Sequence, residues 1–286
     1  MTQVKRAVRF ALARAARMPG MQRPAFAAFA RLFPDQPWQA THPFDRGLGT
    51  DTGGFVPQWL LQPGVTEADQ GSPYAGCQPE CVRAALASLP DTRNYSFIDL
   101  GCGKGRAMIV ASEYSFHAIL GVELSGGLVA VAARNAALVA RAHPERTRLQ
   151  PMQGDAAGVA LPDGPLVIFN YHAFPRALVG RIAERLAAAA SPGREIFYVY
   201  ENPVCHYVLD ALPGFTRWFA AKVACTDEER GRSPGDEDTV VVWRAGGPPR
   251  TAHDGADAGL RETVPGWGVE LHPGLASGAG IPTSIG

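Results

Sequence analysis

The chain has no long apolar run: no stretch approaches the roughly 18 uninterrupted apolar residues that a bilayer-spanning helix needs, so no segment is expected to cross a membrane. Internal repeats are missing too, which excludes a repeat array. Acidic residues are absent from positions 1–33, which hold one Lys and six Arg; the formal net charge of zero therefore leaves −7 on the remainder. Serine is also absent from that segment, which counts against an organelle transit peptide. Cysteine is scarce and odd in number: Cys77, Cys81, Cys102, Cys205 and Cys225 exclude a disulfide framework and point to a reducing, cytoplasmic compartment. Cys77 and Cys81 form a C-x₃-C without a second pair or nearby histidines, so no metal site is expected. The acidic body lacks a basic stripe, which argues against an extended nucleic-acid footprint.

What the chain does contain is a strand that breaks into glycines. In Ser96-Phe97-Ile98-Asp99-Leu100-Gly101-Cys102-Gly103-Lys104-Gly105-Arg106, the apolar residues read as a buried parallel strand and the glycines as a sharp turn. A helix is expected from Lys104 onward. A second apolar run, Ala118 to Val122, ends in Glu123, 22 residues after Gly101, where a parallel neighbour would present a carboxylate to ribose hydroxyls. Together these make a βαβ unit with a nucleotide-sized pocket at the helix N-terminus. The G-x-G-x-x-G fingerprint of nicotinamide dehydrogenases requires a small third residue, and this chain has Arg106 there.

Asp99-Leu100-Gly101-Cys102-Gly103-Lys104-Gly105 followed by Gly121-Val122-Glu123 resembles the first two motifs of the class I S-adenosylmethionine-dependent methyltransferases. That resemblance implies an α/β, Rossmann-like, seven-stranded, mostly parallel sheet of order 3-2-1-4-5-7-6, with helices on both faces. It also implies S-adenosyl-L-methionine as cofactor, held by Asp99, Gly101, Gly103, Gly105 and Glu123, with Asp155 at the adenine after the third strand. Asn170-Tyr171-His172-Ala173-Phe174, after the fourth strand, loosely resembles the corresponding segment of non-SET histone-lysine methyltransferases, though His172 has no counterpart there. At this acceptor edge Asn170 is expected to orient acceptor or cofactor. Tyr171, His172 and Glu201 are the candidate bases.

The remaining order agrees with this scheme. A helix from Pro79 ends at Pro90; Ser125 caps a helix running to about His143; strands follow at Leu149–Gln153, Pro165–Asn170 and Ile196–Tyr200; a closing hairpin joins Phe215–Val223 to Thr239–Trp243. The expected organisation is a basic amphipathic helical segment at 1–33, an irregular lead-in at 34–71, a methyltransferase domain at 72–245 and a disordered tail at 246–286, where 15 of 41 residues are Gly or Pro. The basic segment could dock on the body, an acidic partner or a membrane surface. Trp38, Phe55, Trp59 and Tyr74 are candidate pocket walls. The sequence leaves the methyl acceptor open between a small molecule and a protein side chain. A non-catalytic cofactor-binding module and an RNA-associated methyltransferase using the basic segment stay as alternatives.

Overall fold

The computed structural model describes residues 41–56, 58–61, 72–229 and 237–247 and scattered positions before 41; the side chains of residues 59 and 60 are not described. Most of the basic segment, Trp38, the Trp59 side chain and the tail beyond Gly247 thus lie outside the described residues.

Two short strands, β1 (Phe55–Val56) and β2 (Tyr74–Ala75), pair antiparallel ahead of the main sheet. Then follow α1 (Pro79–Ala87), β3 (Ser96–Leu100), α2 (Arg106–Ala111), β4 (Ala118–Glu123), α3 (Gly126–Ala142), β5 (Leu149–Gln153) and β6 (Leu166–Tyr171). The chain continues through α4 (Arg176–Ala189), β7 (Ile196–Glu201), α5 (His206–Asp210), β8 (Phe215–Ala224) and β9 (Glu237–Ala245). The large sheet runs β5-β4-β3-β6-β7-β9-β8; β9 runs antiparallel to both β7 and β8, and the other pairs are parallel. Counted from β3, that is the expected order 3-2-1-4-5-7-6.

Side chains alternate across the sheet, so each face owns a core. Ile98, Leu100, Ile168, Tyr198 and Trp243 pack under α4 through Val179, Ile182 and Leu186. Phe97, Val167, Phe169, Phe197 and Val242 pack under α1 and α2 through Val82, Leu86, Met108 and Val110. Each large side chain so buried contributes about 1.5–3 kcal/mol. Burial on both faces explains why the central strands read as continuous apolar runs.

The segment expected to be irregular is organised by one acid. Asp45, in a 3₁₀ turn Pro43–Asp45, accepts from Thr50 Oγ1 (2.7 Å), Thr52 Oγ1 (2.7 Å) and Thr52 N (3.0 Å). Such side-chain-to-backbone bonds leave no periodic trace, so the β1–β2 ladder and this loop were not readable as elements. No helix among the described residues is long and apolar enough to cross a membrane.

Candidate active site

Three left-handed glycines shape the turn after β3: Gly101 at φ +77°, Gly103 at +54° and Gly105 at +87°. Residues with a Cβ pay about 1–2 kcal/mol to enter this region, which is why the turn needs glycine. Gly105 also delays the helix: α2 starts at Arg106, two residues later than expected, because a left-handed residue cannot continue a right-handed turn. Backbone N–H groups of Gly101 and Cys102 donate to Val122 O at 2.8 and 3.0 Å. The Glu123 carboxylate accepts from Gly103 N (3.1 Å) and Ser125 N (2.8 Å), so the end of β4 is stitched to the turn and to the start of α3.

A cavity of about 610 Å³ opens at the carboxyl ends of β3, β4, β6 and β7, where ligands bind in open parallel sheets. One end is acidic: Asp99, Glu123 and Asp155 line it together with Gly101. Asp99 is 3% exposed, and its carboxyl is pushed well above the usual range by burial and then by the Glu123 charge. Burial raises Glu123 as well, against the pull of its N–H donors. The other end is formed by Tyr171, His172 and Asn202. Burial lowers the His172 pKa and raises that of Tyr171, so near neutral pH the imidazole is uncharged and the phenol keeps its proton.

The roof comes from the lead-in and the first residues that follow it. Phe55 and Tyr74 line the cavity, and a Cβ on Gly103 would overlap the Tyr74 ring. Lys104 Nζ donates to Asp51 Oδ1 (2.7 Å) and Gly53 O (2.8 Å), while Asn135 on α3 exchanges hydrogen bonds with the Asp51 backbone at 2.9 Å. Arg106, the residue that departs from the dinucleotide fingerprint, is 4% exposed and extends under this roof. Its donors reach Thr52 Oγ1 (2.9 Å), Thr52 O (2.5 Å) and Cys77 O (2.8 Å).

Of the residues singled out from sequence, the structure brings Asp99, Gly101, Glu123, Asp155, Tyr171 and His172 to the cavity. Four others do not line it. Gly103 lies beneath Tyr74, and Gly105 faces Ala132 on α3. Asn170 is fully buried; its Oδ1 accepts from Ala173 N (3.1 Å) and its Nδ2 approaches Tyr198 Oη (3.5 Å), which fixes the loop after β6. Glu201 is fully buried, and its Oε1 accepts from Gln78 N at 2.7 Å. Glu201 therefore does not line the cavity with Tyr171 and His172, the other two candidate bases. Sequence reasoning missed Cys77 and Asn202, which line the cavity, and Thr52, which holds Arg106 and Tyr74 beside it. The one available signal for Asn202 was an Asn-Pro pair directly after β7. Among the described residues, no group of three or more His, Cys, Asp or Glu side chains is gathered to hold a metal.

No protein-family model matches the chain, and no curated protein matches it in sequence. Solved structures do align with it. Magnesium protoporphyrin IX methyltransferase from Synechocystis PCC 6803, solved with S-adenosylmethionine, is 16% identical over 58% of this chain and 79% of its own, with a TM-score of 0.43. An RNA methyltransferase from Salinibacter ruber, in complex with S-adenosyl-L-homocysteine, is 19% identical over 64% of this chain and 100% of its own, with a TM-score of 0.40. The ribosomal protein L11 methylase of Lactobacillus delbrueckii subsp. bulgaricus is 15% identical over 58% and 76%, at 0.38. On its own strand order and connections, the chain has the Rossmann-like fold of class I methyltransferases.

Proposed function

We propose that the protein is an S-adenosylmethionine-dependent methyltransferase. The observation that carries this reading is the acidic end of the cavity, where Asp99 is buried and Glu123 partly buried; burial raises both carboxyls, and the Glu123 charge raises Asp99 further. A site of that sign repels a pyrophosphate and favours a ligand that brings positive charge. S-adenosylmethionine carries an ammonium and a sulfonium, and when bound it supplies an activated methyl group on cationic sulfur. The residues fit it: Gly101, Glu123 and Asp155 all line the cavity, and on this reading Glu123 accepts from both ribose hydroxyls and Asp155 serves the adenine.

Catalysis then asks mainly for placement of the acceptor in line with the methyl group in a closed site. Uncharged His172 is the residue suited to hold or take a proton from an acceptor, and the protonated Tyr171 hydroxyl is suited to orient it by donating a hydrogen bond. The nature of the acceptor is left open between small molecules and macromolecules.

Calorimetry tests the cofactor. The wild-type protein is expected to bind S-adenosylhomocysteine and not NAD; binding of NAD alone would remove the methyltransferase reading. Incubation with labelled S-adenosylmethionine and a lysate of the host then tests transfer, with label appearing in one acceptor fraction.

A further inference from the structure

Arg106 and Glu201, both buried, are joined through a single peptide group. Arg106 Nη1 donates to Cys77 O at 2.8 Å, and Glu201 Oε1 accepts from Gln78 N at 2.7 Å; carbonyl and N–H belong to the same Cys77–Gln78 peptide. The peptide dipole therefore has its negative end on a guanidinium and its positive end on an acid, which is favourable at both ends. The same guanidinium holds Thr52 through Nε (2.9 Å) and Nη2 (2.5 Å), so one side chain ties down the lead-in and the strip that follows β2. Gly76 is required for this approach, because a Cβ there would overlap the guanidinium. Gly76, Cys77 and Tyr74 all line the cavity, and Tyr74 Oη in turn donates to Thr52 O at 2.7 Å.

Glu201 closes β7 beside Asn202, and its register partner on β6 is Tyr171. Among the described residues its second oxygen, Oε2, is buried without a hydrogen-bond partner, and Glu201 is not one of the residues lining the cavity. A general base has to exchange its proton with an acceptor, and this carboxyl is arranged to receive one fixed N–H.

We infer that Glu201 is a positioning residue: with Arg106 it clamps the Cys77–Gln78 peptide and so holds the strip Tyr74–Cys77 as the roof of the cavity. Its effect on ligand binding rests on the cofactor reading proposed above; the clamp itself does not. The role asks of Glu201 only an acceptor oxygen, which the amide in Glu201→Gln also offers, whereas a base would be lost in that variant.

Two readouts on Glu201→Ala, Glu201→Gln, Arg106→Met and the Glu201→Ala/Arg106→Met double variant decide it. Amide hydrogen exchange should show the Gln78 N–H exchanging about 100-fold faster or more in Glu201→Ala, and close to the wild-type rate in Glu201→Gln. Affinity for S-adenosylhomocysteine should fall about tenfold or more in Glu201→Ala and in Arg106→Met, and stay within about fivefold in Glu201→Gln. The double variant should be no weaker than the weaker single one, since releasing either end opens the clamp. Slow Gln78 exchange in Glu201→Ala, equal losses in the Gln and Ala variants, or losses that multiply in the double variant would each overturn the clamp. If Glu201→Ala does not fold, Arg106→Met frees the same peptide from its other end and is read in the same way. Wild-type protein that fails to bind S-adenosylhomocysteine would remove the cofactor reading, while the exchange measurement would still decide the clamp.

Discussion

The two ends of the cavity make their bends by different means. At the acidic end the chain turns through Gly101, Gly103 and Gly105, all left-handed and all without a side chain to strain. At the other end the left-handed residues are His172 (φ +35°) and Asn202 (φ +48°), at the exits of neighbouring strands β6 and β7. Asn is tolerated in that region; His less so, and such a residue persists only where its surroundings hold it. Here they do: His172 N donates to Glu201 O, its carbonyl accepts from Ser72 Oγ, and Asn202 N donates to Thr239 O. Glycine lets one end be built locally, whereas the other depends on the lead-in, β7 and β9 arriving in place.

Breaking the glycine-built end should have the largest effect. Gly103→Val places a β-branched side chain at positive φ and against the Tyr74 ring, and it displaces the N–H that holds Glu123. Loss of S-adenosylhomocysteine affinity by more than about 100-fold is expected by calorimetry, with the sheet still folded by circular dichroism. Unchanged affinity in a folded variant would place the ligand elsewhere.

Next comes Glu123→Ala. It removes the acceptor proposed for the ribose hydroxyls and orphans the Gly103 and Ser125 N–H groups, so binding should weaken by about 2–4 kcal/mol. A titration showing less than tenfold loss would argue that Glu123 serves the fold alone.

The acceptor end is sharpened by His172→Ala and Tyr171→Ala. Once an acceptor is known, each should slow methyl transfer by about 10²-fold, while cofactor affinity moves by less than about 1 kcal/mol. Loss of cofactor affinity in both would erase the distinction between the two ends.

The smallest effect, and one of opposite sign, is expected from Asp99→Asn. The Asp99 pKa is raised in the folded state above its ordinary 3.8, by burial first and Glu123 second. A raised acid pKa means the folded chain holds a proton that the unfolded chain gives up, so stability falls as pH rises from about 3.8 through the folded value. Replacing the carboxyl should therefore raise the Tm of the ligand-free protein at pH 7, with the gain vanishing below about pH 4. Affinity for the cationic cofactor should drop in the same variant. A Tm that falls at pH 7 would show that Asp99 serves the fold as a hydrogen-bonding group and not as a buried acid whose ionisation opposes folding.

Much of this molecule was legible in its residues because the information was local. Buried parallel strands announce themselves as apolar runs, as at Phe97–Leu100 and Leu166–Phe169; Ser125 marks a helix start by its own side chain, which accepts from Leu128 N at 3.5 Å. The glycine turn and the acid 22 residues on placed Gly101, Asp99 and Glu123 for the same reason: each need is met within one βαβ unit. What the tertiary structure alone decided is which neighbours meet across distance. Asn170 and Asp99 are the next-to-last residues of β6 and β3, and Glu201 and Glu123 the last of β7 and β4, yet Asn170 bonds to Ala173 N and Glu201 to the Gln78 amide, and neither lines the cavity. Arg106 looked only like a break in a dinucleotide pattern until Thr52 and Cys77, 54 and 29 residues away in sequence, supplied its acceptors. Hydrogen bonds of that span carry no period and no propensity, so they exist only once the sheet has brought their partners within 3 Å.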